Sequence, residues 1–475
     1  MQGLLSRESP LIIAWGLQTT LWLLVGGGLA ADSWLTLLGG RELVAHGLPH
    51  HDAFAILSHG REWIDQQWLA QLFYYGLYKL GGISLVSRGN VAVFATAAAL
   101  ALVAARRSGA SPTRVLVCAV PVLLLAASFV RAQVLAEVLF VLLLVLLVRE
   151  SKQPSRRIVL AFPLVMLWGN VHGSAVMGAA MLSLLGLVEL GRVVQRRSRR
   201  AEARAWLLVL GAWPCLLVTP YGTGVVPYYR ATLANPAFAK YITEWQSPKF
   251  ATLWGATFFV AAFFAAVVVG RRLRDFNAFE LGMLLMTLVG ALLAVRSVIW
   301  FVFAVLVLVP RALEKVWPAR RRTRAVGWIP FRAAVSTVLL GTCLFFLFQP
   351  AKGIDPYWPG AAPRAVARAV QTDPSLRVFS NEEFADWLLF REPGLRDRVA
   401  FDGRWEILRP GEMSAVVDFL FQQTPEWERV THGYGLFVLD PKTNRRVVRT
   451  YSRRRDMFTV YRDKHVVVFE RRPSA

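Results

Sequence analysis

Residues 113–157 read TRVLVCAVPVLLLAASFVRAQVLAEVLFVLLLVLLVRESKQPSRR. Two apolar runs, 113–129 and 132–149, are separated only by the tight turn at Val130-Arg131. Basic residues close both outer ends: Arg114 on one side, and Arg149, Lys152, Arg156 and Arg157 on the other. A bilayer core is about 30 Å thick and takes about 20 apolar residues per helix. The runs are continuous, whereas the strands of a membrane barrel alternate. The stretch therefore reads as a pair of spanning helices whose outer ends face the same, basic compartment.

Working outward, similar runs occur near 11–31, 86–105, 157–170, 172–191, 204–219, 252–270, 277–295, 297–313 and 328–349. The chain thus reads as a polytopic α-helical membrane protein with about eleven transmembrane helices. A soluble chain of 475 residues would be two or three domains with fewer apolar residues than the 55% found here. An ordinary cytosolic enzyme, a disordered chain and a secreted disulfide scaffold are excluded. Cys118, Cys215 and Cys343 all fall inside apolar runs, so neither a disulfide nor a cysteine metal site is implied.

The net charge of +23 is a question of placement. Loops 106–112, 150–156, 192–203, 271–276 and 314–327, with their flanks, nearly account for it, while the intervening short turns hold at most one arginine each. Positive loops mark the cytoplasmic side. The N-terminus is then cytoplasmic, and the alternation removes a nucleic-acid partner. An odd number of spans places residues 350–475 outside. Their alternating helix and strand patterns predict a C-terminal extracytoplasmic α/β domain. Helices are expected near 361–371, 383–390 and 412–422, with strands at 377–380, 398–402, 436–439, 457–462 and 465–470. The division is a transmembrane domain at 1–349, with its first outside loop at 32–85, followed by the domain at 350–475.

Polar residues gather on the outer side. The first outside loop holds Asp32, Trp34, Asp52 and four of the seven histidines. Its second half, from Gln67 to Leu80, is amphipathic and aromatic and suits an interfacial helix. The short outer turns add Arg131, Asn170, His172 and Arg296, and the loop 220–251 adds Glu244. Polar groups at the edge of a span are costly and usually face a cavity. Arginines there suit a phosphate or pyrophosphate. A carboxylate at the mouth suits a base that deprotonates an acceptor hydroxyl. Asp32, Asp52 and nearby histidines also offer ligands for a divalent metal ion.

Each residue has a plainer reading. Asp32 could cap the helix that follows it, and Asp52 could be a turn residue. Arg131 and Arg296 could be snorkelling anchors. Asn170 and His172 could join two helix ends. Asp402 and Arg404 could form only a strand-ending turn with a salt bridge, against a substrate or domain-docking role.

Several short motifs then align with one family. These are Asp32-x-Trp34-x-x-Leu37-x-x-Gly40, His46-Gly47-x-Pro49-x-x-Asp52-x-Phe54, Trp63, Trp68-Leu69, Trp168-x-Asn170-x-His172-Gly173, and Asn381 with Asp402-Gly403-Arg404. Together they resemble a bacterial group within the GT-C glycosyltransferase superfamily. The resemblance implies a polyprenyl-phosphate-linked sugar donor and transfer to an acceptor on the outer face of a bacterial plasma membrane. It implies that Asp32 is the catalytic base or sits beside it, with Asp52 as the match to a second acid that often assists. Substrate-binding roles are expected for Trp34, Arg131, Asn170, His172, Glu244, Arg296, Asp402 and Arg404. The group often has a histidine where this chain has Thr36. Two other classes stay open: a transporter or flippase of a lipid-linked or polar substrate, and a membrane scaffold. Glu137 and Glu189 are the main acids inside the spans, and no repeated halves are visible, against most secondary transporters.

Overall fold

The computed structural model describes residues 2–25, 28–125, 129–196, 199–233, 235–318, 329–348 and 357–472. Much of the basic loop 314–327 and the expected domain boundary near 349 lie outside the described residues. Each sequence-expected span falls on helix. Among the described residues, four helices are long and apolar enough to cross a bilayer: Trp68–Arg107, Ala132–Lys152, Ala175–Arg192 and Leu253–Arg271. Two bent pairs bring the number to six. The molecule is a helical membrane protein, and this count is coarser than the eleven spans expected.

The reasons are local. Among the described residues, the run at 113–129 supplies the 13-residue helix Pro112–Leu124. The run at 157–170 opens as a 3₁₀ turn, Arg156–Leu160, before the helix Ala161–Val171. The run at 297–313 bends by 54° where Pro310 follows Val309, as proline cannot continue the hydrogen-bond ladder. The 40-residue helix Trp68–Arg107 breaks at Gly81 and Gly82, where Gly82 has φ +62°. That break separates the aromatic amphipathic half from the span at 86–105.

The axis of the bundle is Val298–Leu308, in which every residue is buried. A helix apolar on all sides belongs in the centre of such an assembly. Trp300 packs against Trp168 and Phe140, with ring centroids 5.8 and 5.1 Å apart.

The C-terminal region is a mixed sheet of four strands flanked by helices. The strands are β1 (Val378–Ser380), β2 (Leu436–Leu439), β3 (Met457–Arg462) and β4 (Val467–Arg471), in spatial order β1-β2-β4-β3. β1 and β2 are parallel, and the other pairs are antiparallel. Residues 398–400 form only bridges, yet they extend the sheet. Val399 bridges Val378 on one side and Ala55 of the first loop on the other. The amides of Ile56 and Leu57 donate to the carbonyls of Val399 and Ala400, each at 2.9 Å. The first loop thereby joins the sheet edge. A shared core follows: Trp34, Leu37 and Leu38 of the helix Ala31–His46 pack with Trp358, Trp387 and Leu388. Arg41 donates to the carbonyls of Phe390 and Leu389.

Candidate active site

The helix Ala31–His46 starts without help from Asp32. Ser33 Oγ accepts from the Ala30 amide at 2.9 Å and donates to the Val130 carbonyl at 2.8 Å. The Asp32 side chain is half exposed and turns toward Arg131, whose Nε lies 3.5 Å from Asp32 Oδ2. Arg131 itself caps the helix Ala132–Lys152, and its Nη1 pairs with Glu244. Arg131 therefore joins the first-loop helix to the loop 242–252.

Beside this triad lies a cavity of about 390 Å³. Leu125, Phe129, Val134, Trp254 and Val295 give it an apolar wall, Glu137 also lines it, and Arg131, Glu244, Lys249 and Arg296 supply charge. Arg131 is held by Asp32 and Glu244. Arg296 and Lys249 have no carboxylate partner among the described residues. The Arg296 guanidinium lies 4.8 Å from the Trp245 ring centre, which orients it without neutralising it. The Lys249 backbone is pressed against the first turn of the helix Leu253–Arg271. A Cβ on Gly255 would fall 1.9 Å from the Lys249 carbonyl oxygen. Only glycine leaves that approach open.

Three sequence-derived candidates thus share one cavity, Arg131, Glu244 and Arg296, and Asp32 stands at its edge. The others sit elsewhere. Asp52 is buried: it accepts from Ser58 Oγ at 2.6 Å and the Phe54 amide at 2.9 Å, and pairs with Arg404. Burial pushes its pKa up, but the Arg404 charge and these hydrogen bonds outweigh burial and hold it below the ordinary value. Arg404 also pairs with Asp402 and lies 4.2 and 4.9 Å from the ring centres of Trp63 and Phe54. This buried Asp52–Arg404–Asp402 cluster fastens the C-terminal region to the first loop. None of its three members, for which catalytic or substrate-binding roles were expected, lines that cavity.

Trp34 is 0% exposed, edge-on to Trp358 and tilted against Phe390, within the shared core. Asn170 accepts from Trp68 Nε1 and donates to the carbonyls of Met166 and Val218, so its amide ties helix ends. His172 Nδ1 accepts from the Ser174 amide at 3.1 Å and meets Ser174 Oγ at 2.8 Å. Thr36 spends its hydroxyl on the Asp32 carbonyl. Among the described residues no three His, Cys, Asp or Glu side chains form a group that could hold a metal ion.

Sequence reading missed two features. Lys249 lies in a polar loop with no local pattern, and only its place beside the cavity reveals it. The second is a set of acids that feel the Asp32 charge. Burial raises Glu382 to about 7, against a hydrogen bond from Trp405 Nε1. Burial also raises Glu406 to about 7 and lifts Asp386 well above the ordinary range. Asp32 contributes like-charge repulsion at all three.

No family model and no curated protein matches this sequence. Solved structures do. ArnT from Cupriavidus metallidurans bound to undecaprenyl phosphate matches with 14% identity over 97% of both chains and a TM-score of 0.51. The apo form of the same protein gives 15% identity, the same coverage and 0.53. The Archaeoglobus fulgidus oligosaccharyltransferase in its apo form gives 12% identity and 0.51, over 91% of this chain and 70% of that one. Over nearly its full length, this chain therefore shares the fold of ArnT, and over 91% of its length that of the Archaeoglobus fulgidus oligosaccharyltransferase.

Proposed function

We propose that the protein is a glycosyltransferase that moves a sugar from a polyprenyl-phosphate donor to an acceptor on the extracytoplasmic face of a bacterial plasma membrane. The observation that carries this reading is the cavity, whose apolar wall meets two cations free of carboxylate partners, with Asp32 at the edge. An isoprenoid chain and a phosphate need those two surfaces side by side. The fold shared with ArnT, which was crystallised with undecaprenyl phosphate, supports the donor class.

The roles follow from the contacts. Arg296 and Lys249 take the phosphate. Arg131 pairs with Asp32 and Glu244 and keeps Asp32 aimed. Asp32 accepts the proton of the acceptor hydroxyl as that oxygen bonds to the anomeric carbon. The bond from that carbon to the phosphate oxygen breaks, and polyprenyl phosphate leaves with its electron pair. A single displacement inverts the anomeric centre. In this reading the chain crosses the membrane about eleven times with its N-terminus in the cytoplasm. Residues 1–349 form the transmembrane domain, and 350–475 close over the acceptor side.

The test is donor turnover in lipid nanodiscs with a panel of polyprenyl-phosphate sugars and a membrane glycan extract. Wild type consumes a donor and releases polyprenyl phosphate; Asp32→Asn, at equal folded amount, loses at least about 10²-fold. Turnover undiminished in Asp32→Asn removes Asp32 as the base. Movement of an intact donor across the bilayer, without cleavage, replaces the transferase with a flippase.

A further inference from the structure

Residues 441–455 read PKTNRRVVRTYSRRR, with no acid among them. They form the helix Arg445–Tyr451 and its two flanking turns. Val447, Val448 and Tyr451 are buried against Phe419, Phe437 and Phe469. The opposite side is cationic throughout: Lys442, Arg445, Arg446, Arg449, Arg453 and Arg455 are all exposed. None of the six side chains makes an ion pair or hydrogen bond among the described residues. Their neighbour Arg454 behaves differently, held by Glu428 and Asp456. At about 100° per residue, Arg445, Arg446 and Arg449 fall within one arc of about 100° on the helix. Like charges this close repel one another. An unpaired cationic face is thus a cost in the free protein that a polyanion removes.

The layout selects the kind of anion. The cations run past both ends of a helix about 10 Å long, farther than one phosphate reaches, so the complement is a chain of charges. Surfaces that lie on membranes combine cations with exposed apolar side chains. The exposed residues from 442 to 455 are only Lys, Arg, Thr and Ser. We propose that this face binds a phosphate-bearing polyanionic glycan. The choice of glycan over nucleic acid rests on the topology proposed above, which places the C-terminal region outside the cytoplasm. The face would hold the polymer that carries, or lies beside, the acceptor.

The experiment uses the full chain in zwitterionic nanodiscs with fluorescent poly(glycerol phosphate), neutral dextran of matched length, and phosphatidylglycerol vesicles. Wild type binds the phosphate polymer and not dextran, and binding weakens steeply as salt rises from about 50 to 200 mM, as counterion release requires. The variant R445Q/R446Q/R449Q/R453Q loses affinity by about tenfold or more, with a shallower salt dependence. The matching four-lysine variant retains binding, which separates charge from misfolding. Asp32→Asn binds the polymer as wild type does while losing transfer, so the two proposals fail independently. Equal binding by the four-glutamine variant, no binding by wild type, or tighter binding to the vesicles than to the polymer overturns the proposal.

Discussion

Replacing Arg404 by methionine separates a scaffold role from a substrate role for the Asp52–Arg404–Asp402 cluster. Methionine keeps much of the packing against Trp63 and Phe54 and removes the charge. Two buried carboxylates then face each other's surroundings without a cation. Asp52 retains Ser58 Oγ and the Phe54 amide, and Asp402 retains the Arg404 amide. Breaking a buried pair by removing one partner costs about 3–5 kcal/mol. The remaining hydrogen bonds place this cluster toward the lower end of that span. A fall in Tm of about 5–10 °C is expected, with earlier proteolysis in the first loop, whose residues 55–57 are held by the sheet edge.

Asp52→Asn should be less damaging in the Arg404→Met background than in wild type, because the stranded charge is then gone. Its activity should fall only in step with the folded fraction. The pH dependence has a definite sign. Asp52 sits below its ordinary pKa in the folded protein. Its contribution is complete above the unfolded value of about 4 and fades as pH falls below it. Thermal scans and limited proteolysis of the four proteins in nanodiscs, together with donor turnover, make the comparison. A Tm for Arg404→Met within about 1 °C of wild type, or a turnover loss in Asp52→Asn at full folding, refutes the reasoning.

Arg296→Gln removes one charge-assisted contact with the donor phosphate, so its KM rises roughly tenfold with kcat less affected, read from donor titrations. Gly255→Ala forces the Lys249 carbonyl away from a contact of 1.9 Å. Donor affinity falls severalfold and Tm drops, whereas alanine at Gly191, where a Cβ meets nothing within 4 Å, changes neither by a comparable amount. Glu382 is raised to about 7 when folded, so the folded state holds a proton that the unfolded chain releases near 4.3. Stability should therefore decline as pH climbs from about 4 toward 7, and Glu382→Gln should flatten that decline in thermal scans.

The transmembrane class was legible because apolar runs and basic loops are local signals that need no knowledge of packing. Helix lengths were less so. A run of apolar residues records burial, not straightness, and Pro310 or the 3₁₀ turn at Arg156–Leu160 breaks a run without changing its hydropathy. In the C-terminal region, β1 (Val378–Ser380) and β2 (Leu436–Leu439) stand out as short apolar strands. The helix Arg445–Tyr451 did not. Its two adjacent valines and clustered arginines carry little helical signal, and it is fixed by burial of Val447, Val448 and Tyr451 instead.

The site divides along a similar line. Arg131 and Arg296 could be picked out because charge at the edge of an apolar run is expensive unless a cavity or partner receives it, and Glu244 because it lies in the long outer loop on the same side. Asp52 and Arg404 look equally functional in a list of motifs, yet they are 352 residues apart and neutralise each other in the core. No local pattern separates a carboxylate that meets substrate from one that meets a guanidinium. What separates them is residual exposure after folding. Asp32 keeps half of its side-chain surface open although it pairs with Arg131, because Ser33 takes over the capping of its helix. In the proposed reading, the serine after Asp32 thus leaves that carboxylate free to act. Ser33→Ala should draw Asp32 toward the vacated cap at the Ala30 amide and lower turnover, and Asn at the same position, which can cap again, should restore it. Unchanged turnover in Ser33→Ala would mean that Arg131 alone holds Asp32 in place.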